Sequence, residues 1–472
     1  MHRSNFKVNL IAPQSVKRIV QNVLFPYALQ FSALAVFALL IIVGLKTGGP
    51  ESYGANLTPF LRKTNLTTLV VWGLWWPALI VVTIVFGRIW CLVCPMELVS
   101  NIANRASRLL GFQGVVLPAW LRKGFLVLVA YLALQLLVAG FQVHRTPLYT
   151  AYVLVGLLVL ALLAGFLFRE PRAFCNSFCP AALLLDTYGS LSPFSLEKAR
   201  DDVCHGCITK DCIKSSNRHK IDARSCPSYL RPFDLRFHDP CVLCLQCVKV
   251  CPHANIGFGY LRSQARRQIP ERAPLATVAF IFVACGFVSH ELFAETPAMD
   301  KIFHFVPAWL STQLDRPELF PWLEAVWFLA VLPAAVMSIV WLAAVCSKST
   351  YAMSELLSRI GFSLVPVLAA GHAIKAMLKL NAWSAFLPGA MLEPDGMSAA
   401  RNIVAGATQS APSIMPAYLI SVLATIILAL SALFAMRVAG GRFHGPLRAP
   451  AFMGITALAM LDSIVILDLL SR

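Results

Sequence analysis

About nine long runs of apolar residues divide this chain, and most of the polar segments between them are rich in arginine and lysine. Each run approaches the ~20 residues that an α-helix needs to cross a bilayer. The pattern therefore predicts about nine transmembrane helices. Their predicted bounds are Leu24–Leu45, Leu66–Phe86, Phe125–Phe141, Leu148–Phe168, Leu275–Ala294, Trp322–Val345, Met353–Leu380, Met415–Ala435 and Pro450–Leu469.

A hydrophilic stretch from Ser192 to Gln268 interrupts the series between the fourth and fifth runs. We therefore expect three domains: residues 1–191 with four helices, residues 192–268 as an insert, and residues 269–472 with five helices. The segment before the first run, Met1–Gln21, is basic and mildly amphipathic. The first run is too long for the apolar core of a signal peptide, so it is predicted to be retained as a helix.

The composition agrees with a membrane protein. Hydrophobic residues make up 58% of the chain, whereas soluble proteins contain roughly 45–50%. The net charge of +17 would suggest a nucleic-acid partner in a soluble protein. In a membrane protein the same excess follows from the positive-inside rule, so no nucleic-acid partner is expected.

Charge also predicts the orientation, because cytoplasmic loops accumulate arginine and lysine. With the N-terminus inside, the inward segments carry most of the cations, and the pair Arg62-Lys63 is the exception. This orientation places residues 192–268 in the cytoplasm of a bacterium and the C-terminus in the periplasm. The inward cations are Arg88, Arg105, Arg108, Arg122, Lys123, Arg437, Arg442 and Arg448.

Reporter fusions test this topology. A reporter fused after Arg472 should be active only if it requires the periplasm, because an odd number of spans separates it from the cytoplasmic N-terminus. A reporter inserted near Arg218 should be active only if it requires the cytoplasm. Matching signals at the two positions would contradict the model of nine helices.

The hydrophilic insert carries eight of the fourteen cysteines. The downstream four form the run C-x2-C-x2-C-x3-C-P, which is the ligand pattern of bacterial ferredoxins with [4Fe–4S] clusters. In that pattern the fourth cysteine binds the other cluster of a two-cluster domain. The downstream cysteines are Cys241, Cys244, Cys247 and Cys251, and the upstream cysteines are Cys204, Cys207, Cys212 and Cys226.

Crossed ligation is therefore expected. One cluster would bind Cys204, Cys207, Cys212 and Cys251, and the other would bind Cys226, Cys241, Cys244 and Cys247. The alternative is a pair of zinc sites, because C-x2-C is also a zinc spacing. The predicted fold is thus an all-α polytopic membrane protein with an inserted cytoplasmic ferredoxin domain of the bacterial 2[4Fe–4S] type.

Four further cysteines follow the inner ends of the second and fourth predicted helices. They are Cys91, Cys94, Cys175 and Cys179, and we call them the junction cysteines. Both pairs end in Cys-Pro and follow an arginine, Arg88 or Arg172. They predict a third iron–sulfur centre or another soft-metal site. A dithiol relay and a purely structural role are the alternatives. Cys285 and Cys346 are single and lie in apolar helices, which is typical of packing residues.

Residues from about 15 to 262 resemble the membrane ferredoxin-type subunit of periplasmic nitrate reductase systems. Related families are the methylamine-utilisation ferredoxin protein, the membrane regulator of nitrous oxide reduction and the copper-oxidase accessory ferredoxin. The resemblance rests on the run from Gly87 to Pro95, on Cys175 and Cys179-Pro180, and on the eight cysteines of the insert. It implies electron transfer at the inner membrane, commonly from quinol towards a periplasmic acceptor. The first junction motif is one residue shorter than the family form, C-x3-C-P.

Polar residues in the second membrane half define another candidate site, since such residues are costly inside a bilayer. Helix rise places His290 and His372 towards the predicted outer face, with Lys375 one turn from His372 and His304 in the adjoining loop. They could form a quinone pocket or supply two axial imidazoles to a haem. The alternative is side chains that extend to interfacial water.

The sequence therefore predicts an iron–sulfur protein that moves electrons between membrane quinone and a cytoplasmic or periplasmic redox protein. The cofactors would do the bond chemistry, and the chain would hold them and tune their potentials. The alternative function is an accessory or maturation factor that reduces a metal or thiol for another redox enzyme.

Overall fold

A computed structural model gives the fold. It describes residues 4–118, 121, 124–235, 241–262, 273–346, 352–408 and 412–442, together with six isolated positions between 455 and 466. The protein is mostly helical, with 70% of residues in helices and few strands. Apart from these six positions, the predicted ninth helix, Pro450–Leu469, lies outside the described residues, as does the side chain of Cys346.

The first part of the chain contains twelve α-helices and three strands. They are β1 (Phe6–Asn9), α1 (Gln14–Gln21), α2 (Tyr27–Thr47), α3 (Pro50–Tyr53), α4 (Thr58–Thr64), α5 (Leu66–Thr68), α6 (Trp76–Phe86), α7 (Pro95–Leu109), α8 (Phe125–Gly140), α9 (Pro147–Leu167), α10 (Ala182–Gly189), β2 (Phe194–Lys198), α11 (Asp201–His205), α12 (Gln246–Val250) and β3 (Ile256–Leu261).

In its described residues, the second part has helices and connecting turns but no strand. It comprises α13 (Leu275–Phe293), α14 (Pro297–Phe303), α15 (Phe305–Gln313), α16 (Phe320–Val326), α17 (Leu332–Cys346), α18 (Met353–Trp383), α19 (Leu387–Leu392), α20 (Met397–Val404) and α21 (Ala417–Arg442).

Seven helices in the described ranges are long and apolar enough to cross a membrane, which makes this a membrane protein. An eighth predicted helix is α8, which is apolar but has only 16 residues. At ~1.5 Å per residue α8 is about 24 Å long, somewhat less than the ~30 Å hydrocarbon core. The seven are Tyr27–Thr47, Leu66–Phe86, Pro147–Leu167, Leu275–Phe293, Pro317–Leu342, Met353–Leu392 and Tyr418–Gly440.

Two of these helices contain a π-helical segment, at Leu69–Trp75 and at Trp327–Val331. The second lies just before Pro333, where the sequence predicts a kink. Proline has no N–H to donate to the carbonyl four residues earlier. The chain accommodates this with a wider turn, in which the Leu332 N–H donates to the Trp327 carbonyl.

The chain forms two compact units. Unit 1 comprises residues 1–39, 82–127 and 154–270, and unit 2 comprises residues 40–81, 128–153 and 271–472.

A three-stranded antiparallel sheet in unit 1 has the order β1-β3-β2. The N-terminal segment, for which the sequence indicates only a basic and mildly amphipathic character, thus supplies an edge strand of this sheet. Gly259 permits this close pairing, because a Cβ there would lie 2.0 Å from the Val8 carbonyl oxygen. Sheet residues Leu196, Ile256 and Phe258 belong to the same apolar core as Cys212 and Cys247.

In unit 2, α13 and α18 are the most buried of the long helices. In their most apolar windows 61% and 83% of residues are buried, against 22% for Pro317–Leu342 and 28% for Tyr418–Gly440. The latter two helices therefore have the exposed apolar surface expected of lipid contact. At the start of α18, Glu355 and Arg359 form an i,i+4 ion pair with a contact of 2.8 Å.

Candidate functional site

The eight cysteines of the hydrophilic insert line two separate cavities in unit 1. The first, which we call the Cys244 cavity, has about 340 Å³ of empty volume and is lined by Cys226, Cys241, Cys244 and Cys247. The second, the Cys204 cavity, has about 360 Å³ and is lined by Cys204, Cys207, Cys212 and Cys251. These are the two sets that crossed ligation predicts.

Local backbone geometry explains how closely spaced cysteines reach one cavity. Leu243 and Leu245 have positive φ values of 47° and 56°, so the chain curls between Cys241 and the start of α12. Pro252 then disfavours helical geometry at the preceding residue. Cys251 accordingly is extended, with φ −72° and ψ 112°, and its side chain lines the Cys204 cavity.

Amide donors approach the thiols of the Cys204 cavity. The side-chain amide of Asn255 donates to Cys204 Sγ over 3.2 Å, and the Asn255 backbone N–H donates to Cys251 Sγ over 3.4 Å. Hydrogen bonds of this type stabilise thiolates and tune the reduction potentials of iron–sulfur centres. Asn255 therefore belongs to the site, although the sequence analysis did not identify it.

Burial controls the acidity of these cysteines. It raises the pKa of Cys212 and of Cys241 to about 12, and neighbouring thiols contribute to the rise. A thiol with such a pKa holds its proton at neutral pH, whereas a metal binds the thiolate. Binding of a metal or cluster must therefore release protons and should weaken as the pH falls.

The junction cysteines converge at a second location in unit 1. Cys91 lies in the 3-10 turn Arg88–Leu92, Cys94 caps α7, and Cys175 lies in the π-helical segment Phe174–Phe178 that Cys179 follows. Gly87 starts the first turn with φ 69°, a conformation that favours glycine.

All four junction thiols lie within electrostatic reach of one another. Burial raises the pKa of Cys179 to about 11 and raises the pKa values of Cys94 and Cys175 as well. Cys91 and Cys175 are only 7% and 6% exposed. Four thiols in one place, two of them on buried residues and two on partly buried ones, form a soft donor set suited to an iron–sulfur cluster or another thiophilic metal.

Two buried arginines lie within electrostatic reach of both the junction cysteines and the Cys244 cavity. Arg88 pairs with Asp186 over 2.7 Å and is within electrostatic reach of Cys91, Cys179 and Cys241. Arg172 pairs with Glu97 over 3.0 Å and is within reach of Cys91, Cys175 and Cys244. These are the arginines that precede the two junction motifs in the sequence.

The two cavities of the insert are also neighbours. Cys212 of the Cys204 cavity influences the pKa of Cys247 in the Cys244 cavity, and both residues belong to one apolar core. The Cys244 cavity is therefore a neighbour both of the junction cysteines and of the Cys204 cavity.

A family model described as a 4Fe-4S binding domain matches residues 68–113 and 150–198. The match fits a ferredoxin-type iron–sulfur protein. The matched segments contain all four junction cysteines and end before Cys204. No curated protein and no solved structure matches the chain.

The donor sets suit iron–sulfur clusters. Each cavity brings four cysteines together, and Cys251, the fourth cysteine of the C-x2-C-x2-C-x3-C-P run, lines the Cys204 cavity and not the cavity of the other three. This is the ligand arrangement of two-cluster ferredoxins. At the junction, Arg172 Nε and Nη1 are buried and have no hydrogen-bond partner among the described residues. Anionic cluster sulfur is an acceptor that such donors could use.

A buried charge network supports the junction, and the sequence analysis missed it. Glu97 accepts hydrogen bonds or ion pairs from Gln30 (2.6 Å), Arg224 (2.9 Å) and Arg172 (3.0 Å). Burial alone would raise the pKa of Glu97, but the two guanidinium charges lower it below its ordinary value. One carboxylate cannot neutralise two guanidiniums, so the network keeps an excess positive charge beside the cysteines. One feature of the sequence could have indicated this network: Glu97 is an acidic residue three positions after Cys94, in a segment rich in arginine.

The candidate residues of the second membrane half separate into distinct groups in unit 2. His290 Nδ1 and His304 Nε2 are 3.0 Å apart. Lys375 Nζ donates hydrogen bonds to the Glu291 carbonyl oxygen over 2.6 Å and to the Glu295 carboxylate over 2.5 Å. His372 is 3% exposed, and its ring meets Phe287 edge-on with centroids 5.7 Å apart.

This arrangement does not suit a haem held by His290 and His304. Two axial nitrogens at ~2 Å from a metal on opposite sides lie about 4 Å apart, with the porphyrin between the two rings. A direct contact of 3.0 Å leaves no room for that ring.

Proposed function

We propose that this protein is a membrane-bound oxidoreductase subunit that transfers electrons between the quinone pool and a redox protein. When bound, iron–sulfur clusters supply one-electron redox chemistry. The observation that carries the proposal is that three cysteine sets in unit 1 are neighbours. Arg88 and Arg172 are within electrostatic reach of the first two sets, and Cys247 and Cys212 of the second and third sets share one apolar core. Neighbouring cysteine sets serve electron transfer better than they serve a single metal-storage site.

The proposed ligands follow from the cavities. Cys226, Cys241, Cys244 and Cys247 would hold one [4Fe–4S] cluster, and Cys204, Cys207, Cys212 and Cys251 would hold another. The junction cysteines would hold a third iron–sulfur centre, which the position of the family match supports.

Burial at the junction favours electron transfer over the accessory function. Thiol–disulfide exchange requires a thiolate that its partner can reach. Cys91 and Cys175 are almost completely buried, and the pKa of Cys175 is raised. The proposed role of the junction cysteines is therefore to hold a centre rather than to react as a dithiol.

The quinone part of the proposal rests on the family resemblance and on the membrane helices. The predicted outer group of His290, His304, His372 and Lys375 is the first candidate for the quinone site. His372→Ala tests this group, because a neutral imidazole can accept a proton from quinol. Loss of a general base there should slow quinol oxidation by about 100-fold or more. A normal rate in His372→Ala would favour the inner surface beside Cys91 and Cys175.

Quinol-driven reduction tests the function. The protein would be purified without oxygen, placed in lipid nanodiscs and mixed with a reduced quinol analogue while its visible absorbance is followed. We expect the absorbance to bleach in the wild type. The double variant Cys91→Ser, Cys179→Ser should keep about 8 Fe in its two ferredoxin clusters and respond to dithionite but not to quinol.

The Cys285→Ser variant is the matched control, because Cys285 lies outside all three cysteine sets. It should bleach at the normal rate. If dithionite bleaches the wild type and quinol does not, the quinone link is wrong. If the double variant loses all its iron, the junction cysteines serve assembly or folding instead of a separate centre.

A further inference from the structure

The potential ligand atoms of three side chains in unit 2 converge on one point. These side chains are distant in sequence from the twelve cysteines described above. They are His290 in α13, His304 between α14 and α15, and Glu324 in α16. His290 Nδ1 lies 3.0 Å from His304 Nε2 and 3.7 Å from Glu324 Oε1. His304 Nε2 lies 3.1 Å from Glu324 Oε1.

These separations match those of ligands that share one metal ion. Ligands placed tetrahedrally at the ~2.0–2.1 Å of zinc bonds to nitrogen and oxygen lie about 3.3–3.4 Å apart. The three observed separations, from 3.0 to 3.7 Å, lie on both sides of that value. Small side-chain movements would therefore convert the present contacts into coordination.

His304 also has the second contact that is typical of a metal-binding histidine. Its other ring nitrogen, Nδ1, lies 3.0 Å from Asp300 Oδ1. A carboxylate at this position accepts the Nδ1–H, fixes the tautomer and directs the lone pair of Nε2 at the metal. Asp300 is one helical turn before His304, so α14 itself supplies the pairing.

Aromatic packing fixes the remaining histidine and shields the group. The ring of His290 stacks on Phe328 with centroids 4.3 Å apart and an angle of 10° between the planes. The Phe303 ring lies edge-on to His304, with centroids 5.1 Å apart. A metal site needs ligands whose orientations are held before binding, and this stacking provides that constraint.

We propose that His290, His304 and Glu324 bind one divalent transition metal ion, with Zn²⁺ as the probe, and that Asp300 positions His304. Nitrogen and oxygen donors distinguish this site from the thiolate sites of unit 1. Three protein ligands leave a fourth tetrahedral position open, as in catalytic zinc sites. Because the ligands come from three helical segments, the ion would also fasten the α14–α15 segment to α13 and α16. The proposal is independent of the quinone function.

Zinc binding by the full-length protein with its iron complement tests the proposal. The protein would be equilibrated with Zn²⁺, dialysed against a weak chelator and analysed for zinc and iron. We expect about one tightly held Zn²⁺ per chain, bound by nitrogen and oxygen at ~2.0–2.1 Å, without sulfur at ~2.3 Å in X-ray absorption. Zinc that is surrounded by sulfur would lie in the cysteine sites and would overturn the proposal.

Variants that preserve side-chain shape locate the ion. Glu324→Gln should lose the tightly held zinc, and Asp300→Asn should weaken zinc affinity by about 10- to 100-fold, the usual effect of losing an outer partner. Glu318→Gln is the control, because Glu318 is 60% exposed and contacts Arg316 instead. An unchanged iron content shows that each variant is folded. Zinc affinity that is the same in Glu324→Gln and in the control would also overturn the proposal.

Discussion

The Cys244→Ala variant will bind about four fewer iron atoms per chain than the wild type, because each cubane cluster contains four. Cys244 lines a cavity with three other cysteines, and a cluster that has lost one of four thiolates is held poorly. Cluster binding also contributes to the folding of such small cysteine-rich domains. We therefore expect a less stable ferredoxin domain as well as a lower iron content.

Iron and acid-labile sulfide assays on anaerobically purified protein measure the change. Three clusters would give about 12 Fe in the wild type and two would give about 8, so the wild-type value also reports on the junction site. Cys285→Ala should retain the wild-type content. Full iron and sulfide in Cys244→Ala would refute the ligand assignment.

The Glu97→Gln variant will be the least stable of the conservative variants of unit 1. Glutamine has the shape of glutamate but leaves the buried guanidiniums of Arg172 and Arg224 without their shared carboxylate. Removing one partner of a buried ion pair typically costs about 3–5 kcal/mol. We expect the unfolding free energy of Glu97→Gln to fall by an amount of this order. Asp222→Asn, which removes an exposed carboxylate of the same unit, should have little effect.

The pH dependence gives this prediction a second measurement. The pKa of Glu97 is lower in the folded protein than its ordinary value of 4.5. Its contribution to stability is therefore present above about pH 4.5 and is lost as the pH falls through the lower folded value. We expect the difference in unfolding free energy between wild type and Glu97→Gln to shrink below that pH. A difference that is constant with pH would show that Glu97 has the same pKa in the folded and unfolded protein, and it would contradict the prediction.

Features that depend on local spacing could be predicted from the sequence. The apolar runs predict eight of the described helices, because a bilayer sets the length and composition of each helix separately. The grouping of the eight cysteines around two cavities follows from motif spacing and from the proline after Cys251. The domain limits 1–191, 192–268 and 269–472 and the cytoplasmic orientation stay predictions.

Features that depend on distant parts of the chain could not be predicted. Strand β1 has only four residues, too few for their apolar–polar alternation to identify a strand, and it is defined by its pairing with β3. Glu97 and Arg224 are 127 positions apart, and no local pattern joins them. His290 and His304 were selected because polar residues in apolar segments are costly, but their common partner Glu324 became evident only from the packing of three helices.

The pairing of β1 with β3 has a consequence for the order of events during synthesis. Asn9 pairs with Gly259, so about 250 residues must be translated before the first strand meets its partner. At roughly 5–20 residues per second this takes on the order of tens of seconds. Four apolar helices are synthesised in that interval and can enter the membrane while the strand waits unpaired. Closure of the sheet therefore cannot precede the synthesis of these four helices, which are available for insertion into the bilayer before the three-stranded sheet is complete.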